Sequence, residues 1–285
     1  MIHIITDSMS DITQQEAAEL GITVLPLHLL FGAESFLDGV TIDRAEFYKR
    51  METATELPKT SQITPESYQN AYRDALAACE QVLVITGSSE LSGTYQSAVM
   101  ARDAIGAEAS VHIVDSLTAS LGQSLLVYEA VRMRDAGMEA EVICKTLKTI
   151  VGQQFLCGQV VDLKYLVMGG RLSSVGAKVG TVLKLSPMLV LKKGKIEMGG
   201  LVRGTQKAYA WLKEQIEKNP PDPRFPFHFA SANAPEAIGK LEEFIRKVCK
   251  LPSVIRTVNI GTIVGTHTGP GCVAMCWICA PKEAK

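Results

Sequence analysis

The stretch of sequence that decides the fold is VLVITGSSELSGTYQSAVMARDA, residues 82–104. The apolar run Val82–Thr86 has the length and the branched side chains of a strand that is buried on both faces. A loop rich in hydroxyls and glycines follows it, and Gly93–Ala104 then has the composition of a helix. A strand that passes through such a loop into a helix is typical of a parallel sheet with covering helices.

The same alternation extends on both sides of this stretch, through the first half of the chain. It predicts an α/β domain with a mainly parallel sheet. The predicted strands are His3–Thr6, Ile22–Leu30, Val82–Thr86 and Val111–Val114, and the predicted helices are Thr13–Leu20, Asp43–Met51, Pro65–Cys79, Gly93–Ala104, Ser120–Ala136 and Ala140–Val151.

The second half predicts an α/β domain with a mixed sheet. Lys192-Lys193-Gly194-Lys195 has the residues of a hairpin turn, and Gly265–Gly271 has the composition of a glycine-rich loop. We therefore expect two domains, residues 1–157 and 158–285. The predicted strands of the second are Pro187–Leu191, Ile196–Leu201, Phe227–Ser231, Val254–Ile260 and Cys272–Ala280, and its helices are Ser173–Leu183, Gln206–Lys218 and Pro235–Cys249.

Composition and charge narrow the class of protein. The chain has 285 residues, of which 47% are hydrophobic and 21% charged, which excludes a disordered protein. No apolar run reaches the roughly 18 residues of a membrane span, and the N-terminus has no signal-peptide pattern. Seven scattered cysteines fit reduced thiols, so the sequence predicts a cytoplasmic protein.

The net charge of −1 hides an asymmetry along the chain. Residues 1–157 carry 10 Lys and Arg against 21 Asp and Glu, whereas residues 158–218 carry 11 against 4. A basic segment is typical of contact with an anionic partner, which leaves a regulatory binding module as one hypothesis. Few aromatics accompany these cations, so we do not expect a nucleic-acid surface.

Hydroxyl side chains follow several of the predicted strands or precede a helix. The stretches are Asp7–Ser10, Lys59–Gln62, Thr86–Thr94 and Asp115–Ser120. The carboxyl ends of parallel strands meet at one edge of a sheet, where helix N-termini offer free N–H groups. Hydroxyls beside such groups suit a carboxylate or phosphate, although each one alone could be only a helix cap.

Two further motifs could contact an anion. Arg171 follows two glycines, which allow close backbone approach, and its guanidinium has a planar fork of donors. His267 lies between two threonines and could donate to an oxyanion or transfer a proton. The alternatives are a solvated Arg on a turn and a structural His.

The sequence lacks the motifs of several other kinds of functional site. The sequence has no Walker A loop, no G-x-G-x-x-G after a strand and no H-E-x-x-H, so neither a cofactor nor a metal is expected. Cys276 and Cys279 have redox spacing, but they lie in an apolar strand-like run. Asp38, Asp43 and Glu46 surround a turn and a helix start, which favours a solvated acidic face.

Taken together, these segments resemble the DegV family of fatty-acid-binding proteins. The resemblance spans nearly the whole chain and depends on the order and spacing of its motifs. They are Ile5–Ser8, Phe36–Val40, Phe47-Tyr48, Thr60–Pro65, Ser89–Ala98, Val114–Ser116, Leu166–Ser173, the basic hairpin, Arg203-Gly204 and Gly265–Gly271.

The resemblance implies a long-chain fatty acid buried in a tunnel between two α/β domains, with no turnover by the chain alone. It implies that a separate kinase subunit, similar to dihydroxyacetone kinases, supplies ATP and converts the acid into an acyl phosphate for phospholipid synthesis. The implied carboxylate-binding residues are Thr60, Ser61, Ser92, Gly93 and His267, and the implied kinase-docking or phosphoryl-stabilising residues are Arg171 and Arg203.

An alternative function remains open at this point. Ser92 and His267 could serve a stand-alone hydrolase or a small-molecule kinase. Against an esterase, the sequence has no G-x-S-x-G nucleophile elbow.

Overall fold

The computed structural model describes residues 1–172 and 185–281. These residues form two compact units. Met1–Gly152 together with Gly261–Ile263 makes up the first unit, and the other described residues make up the second. Both units are α/β domains, as the sequence predicts.

The first unit is built on a parallel four-stranded sheet in the order β2-β1-β6-β7. A three-stranded antiparallel sheet, β4-β3-β5, accompanies it. The strands are β1 (Ile2–Asp7), β2 (Ile22–Leu25), β3 (His28–Phe31), β4 (Glu34–Leu37), β5 (Lys59–Ser61), β6 (Gln81–Thr86) and β7 (Val111–Asp115), and the helices are α1 (Gln14–Leu20), α2 (Arg44–Thr53), α3 (Pro65–Ala78), α4 (Thr94–Ala104), α5 (Leu121–Asp135) and α6 (Ala140–Val151).

The parallel sheet confirms the reading of the central stretch of sequence. Five of the six residues of β6 are buried, which is why Val82–Ile85 are apolar without alternation. The strand order changes direction between β1 and β6, and in open α/β sheets ligands bind beyond the carboxyl ends of the strands at that point. The loops after β1, β6 and β7 all lie at this edge.

The prediction of one strand over Ile22–Leu30 is wrong. Pro26, which has no N–H to donate to a sheet, separates β2 from β3. The chain leaves the parallel sheet there, and β3 pairs with β4 and β5 instead. Neither β4 nor β5 was predicted, since each has only three or four residues.

The second unit has a mixed six-stranded sheet in the order β10-β9-β8-β13-β11-β12. Only β11 and β12 pair in parallel, and the other neighbours are antiparallel. Its strands are β8 (Gln154–Gln159), β9 (Ser186–Lys192), β10 (Lys195–Val202), β11 (Phe227–Ser231), β12 (Ile255–Asn259) and β13 (Val273–Ile278), and its helices are α7 (Lys164–Met168), α8 (Thr205–Lys218), α9 (Pro235–Val248) and α10 (Thr262–Thr268), whose first two residues belong to the first unit.

The core of the second unit is centred on Trp277, which is fully buried on β13. Its ring stacks on Phe227 at a centroid distance of 5.1 Å and an interplanar angle of 8°. The indole N–H donates to the carbonyl oxygen of Asn219 at 2.7 Å, so the one polar atom of the ring is satisfied.

The basic hairpin is confirmed. Lys193 and Gly194 have φ values of 49° and 81°, and two successive positive φ angles give the tight turn that joins β9 to β10. The isolated bridge between Leu172 and Ile196 ties the Gly-Gly-Arg turn to this hairpin.

Two details of the second half differ from the prediction, and one cannot be compared. The division of the chain comes at Gly152 instead of 157/158, because all of β8 pairs in the six-stranded sheet. The predicted loop over Gly265–Gly271 begins inside α10, and Gly269 ends that helix with its N–H on the carbonyl oxygen of Gly265. The helix predicted over Ser173–Leu183 lies outside the described residues.

Candidate functional site

A buried carboxylate joins the ends of the two central strands of the parallel sheet. Asp7, at the end of β1, accepts from the backbone N–H of Met9 at 3.0 Å and from that of Gly87, after β6, at 2.8 Å. Burial raises the pKa of Asp7 to about 6, against the opposing effect of these donors. The carboxylate of Asp7 thus links the ends of β1 and β6, at the edge of the sheet where the hydroxyl-bearing loops meet.

Several of the hydroxyls at this edge serve the local backbone. Ser8 Oγ accepts from the N–H of Leu27, Ser88 Oγ from that of Glu90, and Ser116 Oγ from that of Thr118, at 3.0 to 3.2 Å. These three hydroxyls thus accept from the backbone, as the helix-cap alternative implies, although none of the three residues is the N-cap of a helix. Turns fixed in this way hold the loops in one conformation.

Ser92 and Gly93 lie at the start of α4. The Ser92 hydroxyl is 2.9 Å from that of Thr94 and accepts from the Thr94 N–H at 3.3 Å. Gly93 is the N-cap residue of the helix, and no side chain caps it there. Both residues are half-buried, so the first turn of α4 presents a hydroxyl and backbone donors together.

Thr60 and Ser61 lie on β5, a neighbour of β3 in the small sheet. The next residue, Gln62, reaches α4: its Nε2 donates to Ser97 Oγ at 2.9 Å. A Cβ built on Gly93 would lie 1.9 Å from Gln62 Oε1, so the amide rests directly on that glycine. The structure therefore brings the end of β5 next to the start of α4.

In the second unit, His267 and Arg171 lie close together beside the Gly-Gly turn. The guanidinium of Arg171 donates to the carbonyl oxygen of Gly169. A Cβ on Gly169 would be 2.2 Å from Nδ1 of His267, so only glycine fits against the imidazole. Burial, with a smaller contribution from Arg171, lowers the pKa of His267 to about 4. His267 is therefore a neutral imidazole at physiological pH.

The helix ends around this imidazole pack through glycines. A Cβ on Gly269, after α10, would lie 2.2 Å from the ring of Tyr165 on α7. The ammonium of Lys164 lies 4.9 Å from the centroid of the same ring. These glycines, which the sequence indicated as a loop, permit close approach of α7 and α10.

Arg203 lies elsewhere in the second unit. It is exposed, directly after β10 and just before Gly204, which has a φ of 83° and precedes α8. Of the predicted site residues, Thr60, Ser61, Ser92 and Gly93 thus belong to the first unit, and His267, Arg171 and Arg203 to the second.

A pair of buried carboxyls was missed by the sequence analysis. Asp11 accepts from the N–H of Gly261 at 2.8 Å, and Asp38 from the hydroxyl of Thr262 at 2.9 Å. Burial raises the pKa of both carboxyls, that of Asp11 to about 7. The prediction of a solvated acidic face is therefore wrong for Asp38. No periodicity in the sequence distinguishes this buried residue from the exposed Asp43 nearby.

The alternative enzyme lacks support in the first unit. The Ser92 hydroxyl is hydrogen-bonded to the hydroxyl of Thr94, which is not a general base. Burial also raises the pKa of the Cys276 thiol, which disfavours the thiolate that redox chemistry needs. Within residues 1–172 and 185–281, no three His, Cys, Asp or Glu side chains form a group that could hold a metal.

Two further features complete the description. Among the described residues, no helix has both the length and the apolar character needed to cross a bilayer. A surface groove of about 870 Å³ lies at the amino edge of the parallel sheet, where Ile2, Gln81 and His112 line it. It contains none of the predicted site residues.

Comparisons with known proteins agree with this architecture. The model of the DegV family, described as uncharacterised proteins, matches residues 1–280. A DegV domain-containing protein of Deinococcus radiodurans is 32% identical over 280 residues, which cover 96% of this chain and 97% of that protein.

Two solved structures share the fold. A fatty-acid-binding DegV family protein from Thermus thermophilus has a TM-score of 0.89 and 28% identity, and the match covers 98% of this chain and 99% of that one. The fatty acid kinase B3 protein of Streptococcus pneumoniae, loaded with linoleic acid, has a TM-score of 0.84 over 98% of this chain and all of that one. Its identity of 20% shows likeness of fold alone.

Proposed function

This chain belongs to the DegV family, and we propose that it binds one long-chain fatty acid and presents the carboxylate to a separate kinase subunit. The observation that carries the proposal is the match over 98% of the chain to a DegV protein that binds fatty acid. In this role the chain has no turnover of its own. A cytoplasmic location follows from the same role.

The hydroxyl-bearing loops support a carboxylate site. Ser92 and Gly93 start α4, and Thr60 and Ser61 lie on the strand that Gln62 ties to that helix. Neutral hydroxyls and N–H groups can hold a carboxylate without burying a cation against it. One carboxylate oxygen then stays nucleophilic enough to attack the γ-phosphate of ATP on the partner.

His267 would add a neutral donor to this set. Its pKa of about 4 means that it does not form an ion pair with the ligand near pH 7. Arg171 and Arg203 are proposed to contact the kinase subunit or the transferring phosphoryl group, which suits a planar guanidinium. The likeness to the fatty acid kinase B3 protein supports this partner through the fold only.

The acyl tail and the carboxylate head group of the ligand contribute differently to binding. Burying an acyl chain of about 16 carbons gains on the order of 12 kcal/mol at roughly 0.8 kcal/mol per CH₂. The loss of translational and rotational freedom removes a large share of that gain. The tail thus supplies most of the affinity, and the hydroxyls set the position of the carboxylate.

Native mass spectrometry of the freshly purified protein tests the proposal, followed by denaturing extraction of what it carries. We expect one long-chain fatty acid per chain, and uptake of added oleate after delipidation. The matched control is oleyl alcohol, which has the same tail without a carboxylate. A protein that is empty and refuses both oleate and palmitate overturns the proposal.

A further inference from the structure

Two elements that carry the proposed carboxylate-binding hydroxyls come from distant parts of the sequence. β5 carries Thr60 and Ser61, and the start of α4 carries Ser92. They belong to different layers of the first unit, since β5 is in the small antiparallel sheet and α4 packs beside β6 and β7. Something must fix their relative position to within a fraction of an ångström if both are to hold one carboxylate.

We propose, on the basis of the function proposed above, that Gln62 is the positioning residue of the carboxylate site. Its amide contacts the first turn of α4 at two points. Nε2 donates to the hydroxyl of Ser97, and Oε1 rests on the Cα of Gly93, where any Cβ would collide with it. Gln62 directly follows the Thr-Ser pair, so this contact places β5 against α4.

We expect the contact between Gln62 and Ser97 to affect the geometry of the carboxylate site more than the stability of the fold. Ser97 is buried, whereas Gln62 is an exposed residue. The helices themselves are held together independently, since the hydroxyl of Tyr72 on α3 donates to the carbonyl oxygen of Ala98 on α4 at 3.1 Å. Loss of the Gln62 amide therefore leaves the packing of α3 on α4 in place.

Gly93 has a second role in this arrangement. Its N-cap conformation has a φ of −72°, which any residue can adopt, so backbone freedom does not require glycine there. The absence of a Cβ instead leaves the space that the Gln62 amide occupies in this conformation. The glycine of the Leu-Ser-Gly-Thr motif and the glutamine of the Thr-Ser-Gln motif thus form one contact.

A double-mutant cycle with two ligands tests the inference. Gln62→Met keeps the bulk of the side chain but removes the amide donor, and Ser97→Ala removes the acceptor. Each variant and the double variant are titrated with oleate and with oleyl alcohol. Gln96→Ala, an exposed glutamine one residue before Ser97, is the matched control.

We expect Gln62→Met and Ser97→Ala each to weaken oleate binding about 3- to 10-fold, the range of one lost hydrogen bond. Binding of oleyl alcohol should change less than about twofold, and the double variant should be no weaker than the singles. Equal losses for both ligands, additive losses, or wild-type affinity for oleate in the two single variants overturn the inference. A wild-type protein that binds neither ligand instead overturns the proposed function, and this inference with it.

Discussion

The carboxylate of Asp11 accepts a hydrogen bond from the backbone N–H of Gly261, a residue 250 positions away, at 2.8 Å. Both atoms are buried, and the carbonyl oxygen of Asp11 accepts from the guanidinium of Arg44. A short segment near the end of the chain is thereby attached to the first unit. Asp38 attaches the next residue through the hydroxyl of Thr262.

Asp11 should make the stability of the protein depend on pH. Burial raises its folded-state pKa to about 7 and that of Asp7 to about 6, with Asp38 adding to both and Arg44 opposing the rise at Asp11. The folded state then holds more protons than the unfolded state between about pH 4 and 7. Stability should therefore fall as pH rises through that window.

Asp11→Asn tests this dependence, since an amide oxygen still accepts from Gly261. We expect the fall in unfolding free energy between pH 5 and pH 8 to shrink by roughly 1–3 kcal/mol, measured by urea denaturation. Glu108→Gln, at an exposed position, is the control and should leave the pH profile unchanged. If the unfolding free energy of Asp11→Asn falls with pH as steeply as that of the wild type, the pKa of Asp11 is not raised in the folded protein.

Ser92→Ala should weaken fatty acid binding and misplace the head group. The substitution removes a hydroxyl from the proposed site and also the acceptor for the Thr94 N–H. We expect a loss of roughly 10- to 150-fold in oleate affinity, as for a hydrogen bond to a charged group. Isothermal titration would measure it, with Ser89→Ala in the same exposed loop as control. Native lipid content and acyl-phosphate formation at wild-type levels would exclude the proposed role.

Arg171→Ala should separate lipid binding from kinase coupling. The variant should retain its fatty acid, because the tail supplies most of the affinity. Acyl-phosphate formation with an added ATP-binding kinase subunit should fall at least tenfold. Arg246→Ala, which removes an exposed arginine paired with Glu242 on α9, is the matched control. Full kinase activity in Arg171→Ala would remove the proposed docking role.

Two glycines of the second unit should respond oppositely to a methyl group. Gly239 lies inside α9 with open space around its Cα, so Gly239→Ala should stabilise the protein by about 0.5–1 kcal/mol. Gly169→Ala should destabilise it by about 1–3 kcal/mol, because the new Cβ would collide with His267. Thermal or urea unfolding measures both. A neutral Gly169→Ala would mean that the imidazole can move away at little cost.

Local patterns were sufficient to predict most of the fold. Val82–Ile85 are all apolar because both faces of β6 are covered, and Thr64-Pro65 starts α3 as its cap chemistry requires. One error is local, because Pro26 ends β2. Another arises where packing overrides local pattern, since the glycines after Thr262 allow close packing of α10 in place of a loop.

The types of residue at this edge of the sheet were predictable from the sequence, but their contacts were not. Hydroxyls after strands indicated the edge of the sheet, yet only the structure shows that Ser8 accepts from the distant Leu27 N–H, whereas Ser92 accepts from the Thr94 N–H at the start of a helix. The contacts of Asp38 and Gln62 gave no signal, since they depend on partners far away in the sequence. Spacing along the chain contains no information of that kind.

The attachment of Gly261–Ile263 to the first unit has a consequence for how the protein is made. Domains commonly fold in order as they leave the ribosome. Here the N-terminal 152 residues lack two of the donors to Asp11 and Asp38 until more than 260 residues have been synthesised. The nascent first unit therefore emerges with two buried carboxyls that each lack one hydrogen-bond donor, and its final consolidation waits for almost the whole polypeptide.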